Sequence, residues 1–316
     1  MNLSEIKVRK RVKRIFTGVL RTVFLIAFSY ILVYPLVYMI STALKSVLDY
    51  ADPTVVWVPK FVTFDSFVKA FKVTNYFVNM KNTLIYEIGA AVLEVFSCAV
   101  FAYGLARFKM RFKGVMMFLL IITILVPDIM LIVPRMMTFK ELDLFGILGL
   151  FNKISGIDLR PNIIDTPFAF YLPSLLGVGL KGGLMIFIYM QFYRGLPYEL
   201  EEAAWIDGAG PFKTFIKIIL PSSGVALLTV FIFSIIWHWN DFLLAVMYTY
   251  ENRTLAVVIN DIKQYMYLVL QMDYTNIVNY GVPLAACVLF ILPPLVVYMI
   301  LQRKFVQSID KIGIVG

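Results

Sequence analysis

Few side chains in this sequence could do chemistry, and most of those that could are set inside apolar runs. Glu87 and Glu94 stand seven residues apart in one such run, which puts both carboxylates on one face of a helix. Asp128 lies well inside another, in Val-Pro-Asp-Ile-Met-Leu. Acids at that depth are costly enough to be functional candidates. Asp128 has two readings, an acid lining a polar pathway or a buried acid paired with a base, and Glu87 and Glu94 carry the same pair. His238 is the only histidine, so no histidine cluster for a metal and no triad around a second histidine can be built; a core or interface histidine is the favoured reading. Around it, Trp237, Trp239, Asn240 and Asp241 combine aromatic faces, which stack on the C–H faces of sugars, with groups that bond hydroxyls. The plainer reading is an interfacial aromatic belt followed by a structural turn.

Other chemistry is excluded by context. Gly177-Val178-Gly179-Leu180-Lys181-Gly182 fits G-x-G-x-x-G, but a dinucleotide site needs a preceding strand, and the surroundings here are apolar and helical in pattern. The segment reads as a loose, hinge-like helix start. No G-x4-G-K-[ST] phosphate loop occurs. Cys98 and Cys287 both lie in apolar runs and read as small buried hydrophobes, with no disulfide framework.

The elements that must position these residues are membrane helices. Of 316 residues, 60% are hydrophobic and only 16% charged, where soluble domains carry about 25% charge. The expected fold is all-α and integral to the membrane, with six transmembrane helices. They fall near 18–44, 83–105, 114–137, 169–193, 222–247 and 281–302, each long enough for a hydrocarbon core of about 30 Å. The formal charge of +9 follows the hydrophobic segments, so the bilayer accounts for it better than nucleic acid does. Residues 1–17 are a basic tail and 45–80 a mixed loop with Pro53 and Pro59. Residues 107–113 form a short link with four bases and no acid, and the 303–316 tail opens Arg303-Lys304. Basic segments stay on the cytoplasmic side, which puts both ends inside and 45–80 outside. The first apolar run exceeds 20 residues and has no small-x-small cleavage site, so it reads as a retained span.

Between the fourth and fifth spans lies a polar island, 194–221, that does not read as slack loop. Pro197 suits a helix start, with Glu199, Glu201 and Glu202 at the positive end of its dipole. Leu200, Ala203 and Ala204 are spaced to form one apolar face. Gly208-Ala209-Gly210-Pro211 breaks the chain. A second helical pattern comes next, with Phe212, Phe215, Ile216 and Ile219 on one face and Lys213 and Lys217 on the other. The island has four acids against three bases, so charge alone does not make it cytoplasmic; the parity of the spans does.

Glu202-Ala203-Ala204, Gly208, and Ile218-Ile219-Leu220-Pro221 fit the spacing EAA-x3-G-x9-I-x-L-P. This resembles the signature loop of the permease subunits of bacterial ABC importers. Tyr34-Pro35-Leu36 with Ser41-Thr42-Ala43-Leu44-Lys45, Ala102-Tyr103-Gly104-Leu105-Ala106-Arg107-Phe108, Trp239-Asn240-Asp241-Phe242-Leu243 with Asn252-Arg253-Thr254-Leu255, and the tail from Phe305-Val306-Gln307 to Gly316 resemble carbohydrate permeases of the MalG kind. The tail lacks their usual small-residue ending.

The resemblance implies a type I importer permease in the cytoplasmic membrane of a bacterium or archaeon, with 81–302 as the family's transmembrane core. Implied partners are a second permease, two ATP-binding subunits and an extracytoplasmic solute-binding protein. The chain itself would bind no cofactor, ATP and Mg belonging to the ATPase. Carried over by position, Glu202 would be the polar contact to the ATPase, Ala203 and Ala204 would keep the helix slim, and Gly208 would supply the turn. Asp207, Ile218, Leu220 and Pro221 complete the coupling set. The candidate substrate pathway is Asp128, Trp237, Trp239, Asn240, Asp241 and Glu94. Alternatives are a permease for polyamine, phosphate or amino acid, a secondary transporter, which predicts an internal repeat that is not evident here, and a membrane-embedded enzyme, which needs a convergent set of acids.

Overall fold

The computed structural model describes residues 3–143, 146–273 and 275–313, with side chains described over 12–143, 146–273 and 275–303. The side chains of the basic cluster Lys7 to Arg11 and of Lys304 onward, and residues Ile314 to Gly316, lie outside the described set. Among the described residues the chain is helical, with one isolated bridge between Lys45 and Val62 and no strand.

The chain divides into two units. The first comprises residues 1–73 and 263–289. It begins with α1 (Leu3–Ala43), whose apolar side chains from Val12 to Tyr38 are exposed almost throughout. A helix that is apolar all round finds its solvent in lipid or in another protein. Beyond it, Lys45 donates from Nζ to the carbonyls of Val55 (2.9 Å) and Val56 (3.1 Å). The carboxylate of Asp49 accepts from Ser46, Lys60 and Phe61 backbone N–H groups, which ties down the first part of the 45–80 segment.

The second unit, residues 74–262 and 290–316, carries the candidate site. Its centre is α2 (Tyr76–Arg107), interrupted by a π turn at Leu84–Ile88. Ala90, Ala91, Cys98, Ala99, Ala102 and Ala106 are all buried. Small residues let helix backbones approach closely where lipid gives no hydrophobic drive to association. α3 (Lys113–Leu125) and α4 (Asp128–Lys140) come next, bent by 101° at Val126-Pro127. The expected third span, 114–137, is therefore a broken one; Pro127 cannot supply the N–H that would continue the helix.

The expected fourth span, 169–193, is likewise two pieces, α5 (Phe168–Leu175) and α6 (Gly182–Gly195). They are joined by a glycine loop in which Gly177 has φ +69° and Lys181 φ +62°. α7 (Glu199–Ile206) and α8 (Pro211–Ser222) make the polar island, and beyond it lie α9 (Gly224–Trp239) and α10 (Leu243–Tyr248). The last helix, α11 (Gly281–Gly313), contains Pro293 and Pro294.

Among the described residues three helical stretches, Val12–Ala43, Tyr76–Arg107 and Ile277–Arg303, are long and apolar enough to cross a membrane, and five if each bent pair counts as one span.

One core cluster joins α2, α6, α8 and α9, with Tyr189 and Tyr193 fully buried and stacked at 5.8 Å. A second joins Tyr86, Phe139, Phe170 and Tyr248, whose rings meet at 5.3 to 5.7 Å.

Candidate coupling loop and transport cavity

The polar island is a built structure. α7 ends in a Schellman arrangement: Gly208 N–H donates to Trp205 O (3.0 Å) and Ala209 N–H to Ala204 O (2.9 Å), with Gly208 at φ +79°. The left-handed turn requires glycine or a close substitute. Pro211 opens α8, which contains a π turn at Phe215–Ile219.

The island's inward face differs from the apolar stripe expected. Glu201 and Ala204 are buried, whereas Leu200 and Ala203 are exposed. The cause is Arg107, the last residue of α2. Its Nε lies 2.9 Å from Glu201 Oε1, its Nη2 donates to Leu196 O (2.7 Å), and its guanidinium sits 4.3 Å over the Tyr198 ring. Both charged side chains are 1% exposed. Burial pushes the Glu201 carboxyl up, and Arg107 pulls it back. Of the four apolar residues expected on one face of α8, Phe215 and Ile219 are buried, beside Thr214, whereas Phe212 and Ile216 are exposed. The outer face presents Glu202, Ala203, Trp205, Ile206, Asp207 and Phe212, with Ile206 86% exposed. Of the other coupling candidates, Ile218 and Leu220 are half-buried and Pro221 exposed.

Farther along the same unit lies a cavity of about 450 Å³, lined by Asp128, Arg135, Trp237 and the glycine loop from Gly177 to Gly183. A second cavity of about 330 Å³ shares Lys181 and Trp237 and is also lined by Asn240, Asp241 and Phe242. Asp128 pairs with Lys181 Nζ at 2.7 Å. Trp237 is held by stacking on Phe233, centroids 5.5 Å apart.

Two pathway candidates sit elsewhere. Trp239 is 3% exposed and donates its indole N–H to Phe290 O (3.1 Å), so it is a core residue. Glu94 lies behind the glycine loop, fully buried: a Cβ on Gly179 would fall 2.5 Å from its Oε1 and one on Gly182 3.0 Å from it. Asn240 bonds its own helix at Ile236 O (2.7 Å), and Asp241, though it lines the second cavity, caps α10 through the Leu244 N–H (3.0 Å).

The residue that sequence reasoning leaves inert is His238. Its Nδ1 lies 3.0 Å from Glu87 Oε2 and its Nε2 2.9 Å from Glu94 Oε2, all three side chains buried. Glu87 reaches it from the π turn of α2 and Glu94 from the α-helix beyond that turn. Two acids on one face of an apolar run needed a base, and the lone histidine of another span was the available signal. Arg135 and Lys181 were also missed as cavity groups.

Residues 96–311 match the family described as binding-protein-dependent transport system inner membrane component. The chain belongs to that family. Relatives of this inner-membrane component include the diacetylchitobiose uptake system permease protein NgcG of Streptomyces coelicolor, 28% identical over 91% of this chain and 85% of that one. The probable starch degradation products transport system permease protein AmyC of Thermoanaerobacterium thermosulfurigenes is 27% identical over 79% and 80%. The arabinooligosaccharides transport system permease protein AraQ of Halalkalibacterium halodurans is 25% identical over 91% and 93%. The fold is that of a chain in the crystal structure of a bacterial ABC transporter that imports the acidic polysaccharide alginate, with TM-score 0.67 and 21% identity over 93% of this chain and 98% of that one. As a permease the chain is a membrane protein that works with other ABC subunits.

This geometry sets measurable outcomes. Gly182→Ala places a Cβ 2.5 Å from the Gly177 carbonyl oxygen, a backbone atom, and is expected to lower stability by about 1–3 kcal/mol. Gly104→Ala, with nothing within 4 Å, should be neutral or stabilising by up to about 1 kcal/mol in thermal unfolding of the purified chain. Arg107→Ala or Glu201→Ala alone leaves a buried charge unpartnered and should cost about 3–5 kcal/mol. The double variant should cost markedly less than the sum, a coupling that a thermal-melt double-mutant cycle measures.

Proposed function

We propose that this chain is one of two membrane subunits of an ATP-driven carbohydrate importer, lining half of the translocation path. The observation that carries the reading is the two-sided island: pinned to α2 inside by Arg107–Glu201, bare outside at Glu202, Ala203, Trp205 and Ile206. A stiff helix held at its base and open on its outer face is the shape of a part gripped by another protein. The grip would come from an ATP-hydrolysing subunit, which supplies nucleotide and Mg, this chain having no phosphate loop. Two such subunits, a second permease and a solute-binding protein outside would complete the assembly. The island and both termini then face the cytoplasm.

The work is alternation between conformations, driven by the difference in how the ATPase dimer binds each. Closure of the dimer moves the docked island, and the cavities along Trp237 open to one side or the other. The names of the relatives favour sugar as cargo. So does the lining, one indole face with Asp128 and Arg135 beside it, an apolar platform with few placed polar groups. Arg135 and Lys181 against the single Asp128 also favour testing a uronate-bearing sugar.

The test is reconstitution with the ATPase, partner permease and binding protein in proteoliposomes, offered diacetylchitobiose, maltodextrin, arabino-oligosaccharide and alginate oligosaccharide. ATP-dependent uptake of at least one is expected. An assembly that hydrolyses ATP but takes up only polyamine, phosphate or amino acid, or a chain that binds no ATPase, sinks the reading. In the same system Gly208→Val, strained at φ +79°, should cut uptake about tenfold while leaving ATP hydrolysis running.

A further inference from the structure

Glu87, His238 and Glu94 make a cluster whose proton count is fixed by geometry. Each ring nitrogen faces one carboxylate oxygen at hydrogen-bond distance. A neutral imidazole has one N–H and can satisfy one of them. The other contact then sets a bare nitrogen against a carboxylate, lone pair to lone pair. Both contacts hold only if the cluster keeps one proton beyond a neutral ring and two carboxylates, on the ring or on one carboxyl. These side chains are at most 4% exposed to solvent, so the repulsion on losing that proton is only weakly damped.

The surroundings make the cluster matter to the cavity. Among the described residues Glu94 Oε1 has no hydrogen-bond partner; it backs directly on Gly179 and Gly182, as the equally unpartnered Ser174 Oγ backs on Gly179. The glycine loop that lines the cavity therefore rests on Glu94, and Glu94 is held by His238. On its other side α9 is tied to α2 by Ser234 Oγ to Ala91 O (3.1 Å). The charged and titratable groups facing the cluster are Asp241 beyond α9, Asp128 and Arg135 on α4, and Cys98 one turn along α2. None of them stands between the ring and its two acids.

We propose that Glu87, His238 and Glu94 form a buried proton-binding site that clamps α9 to α2 under the floor of the cargo cavity, with His238 a positioning residue for transport. The role in transport rests on the importer reading above; the proton site does not. With the proton bound, the loop keeps its seat; at alkaline pH the clamp loosens, the floor shifts and cargo affinity falls.

His238 being the only histidine, the full chain labelled with 15N-histidine, carried on a histidine-free affinity tag and placed in lipid nanodiscs, gives the ring alone in its spectrum. Two hydrogen-bonded ring nitrogens are expected at neutral pH, with the signal of Nε2 moved by Glu94→Gln. One bare nitrogen, indifferent to Glu94→Gln, overturns the proton site. In proteoliposomes, with whichever of the four sugars is transported, His238→Gln should raise KM about tenfold with kcat within about twofold, and flatten the alkaline rise in KM. Glu94→Gln added to His238→Gln removes one of two facing carboxylates and should recover most of the affinity, which also guards against a variant that merely misfolds. An unchanged KM and pH profile in His238→Gln overturns the positioning role even where the spectrum shows the proton. A wild-type assembly that moves no sugar rejects the importer reading and with it that role, and leaves the proton site to the spectrum.

Discussion

Ionisable groups that water cannot reach must find their partners inside the protein, and in the second unit that requirement selects which helices lie together. Lipid tails are as apolar as leucine, so hydrophobic burial alone cannot choose one helix neighbour over another. Arg107 with Glu201, and His238 between Glu87 and Glu94, each join segments far apart in the chain; Asp128 with Lys181 does the same at the cavity wall, where both side chains keep contact with solvent. Such contacts need not add net stability over a well-packed apolar equivalent. Their effect is to penalise every arrangement in which one member is left alone, and that penalty is largest where exposure is least, at Glu94, Glu87 and Glu201.

Packing then fills in around the charges. The alanine face of α2 brings α6 and α9 close enough for short side chains to touch, and this proximity lets His238 reach two acids from one ring. The π turn at Leu84–Ile88 serves the same end: one extra residue in a turn rotates the helix on its N-terminal side relative to the helix on its C-terminal side, and Glu87 lies within it. The aromatic cluster of Tyr86, Phe170 and Tyr248 sits just beyond.

Features set by local pattern were legible in the sequence. Apolar run length marked the helices, and the polar island announced itself by proline, acids and a glycine break at residues 197–211, with motif spacing pointing to the family. Features that depend on tertiary partners were hidden. Leu200 and Ala203 look like an inward stripe until Arg107 arrives from another helix and takes Glu201 instead. The two acids of α2 were visible on one face, and the histidine 144 residues beyond Glu94 was visible too, but nothing local pairs them. The 101° bend had a cue in Val126-Pro127, though proline alone does not separate a kink from a break. Trp239 and Trp237, two residues apart, look equivalent as letters and are opposite in the fold, one core and one cavity wall.

α2 also connects the two ends of the proposed machinery. Arg107 holds the island at one end and Glu94 holds the cavity floor 13 residues earlier, about 20 Å along a continuous helix. A helix of that length is stiff, so a displacement of the island that keeps the Arg107–Glu201 contact must carry α2 with it or break the contact. α9 starts just after the island and carries His238 in its last turn, so the same displacement reaches the cluster by a second helix. The cluster is where the two helices are compared. If both move together its contacts survive, and if one moves ahead of the other, two contacts of 2.9 and 3.0 Å must open in a medium that offers no replacement. A continuous chain of packed elements is not by itself a demonstration of coupling, which needs an element with two arrangements that both ends bias. The glycine loop, with Gly177 and Lys181 both at positive φ and its floor resting on one carboxylate, is the element here most able to hold two arrangements.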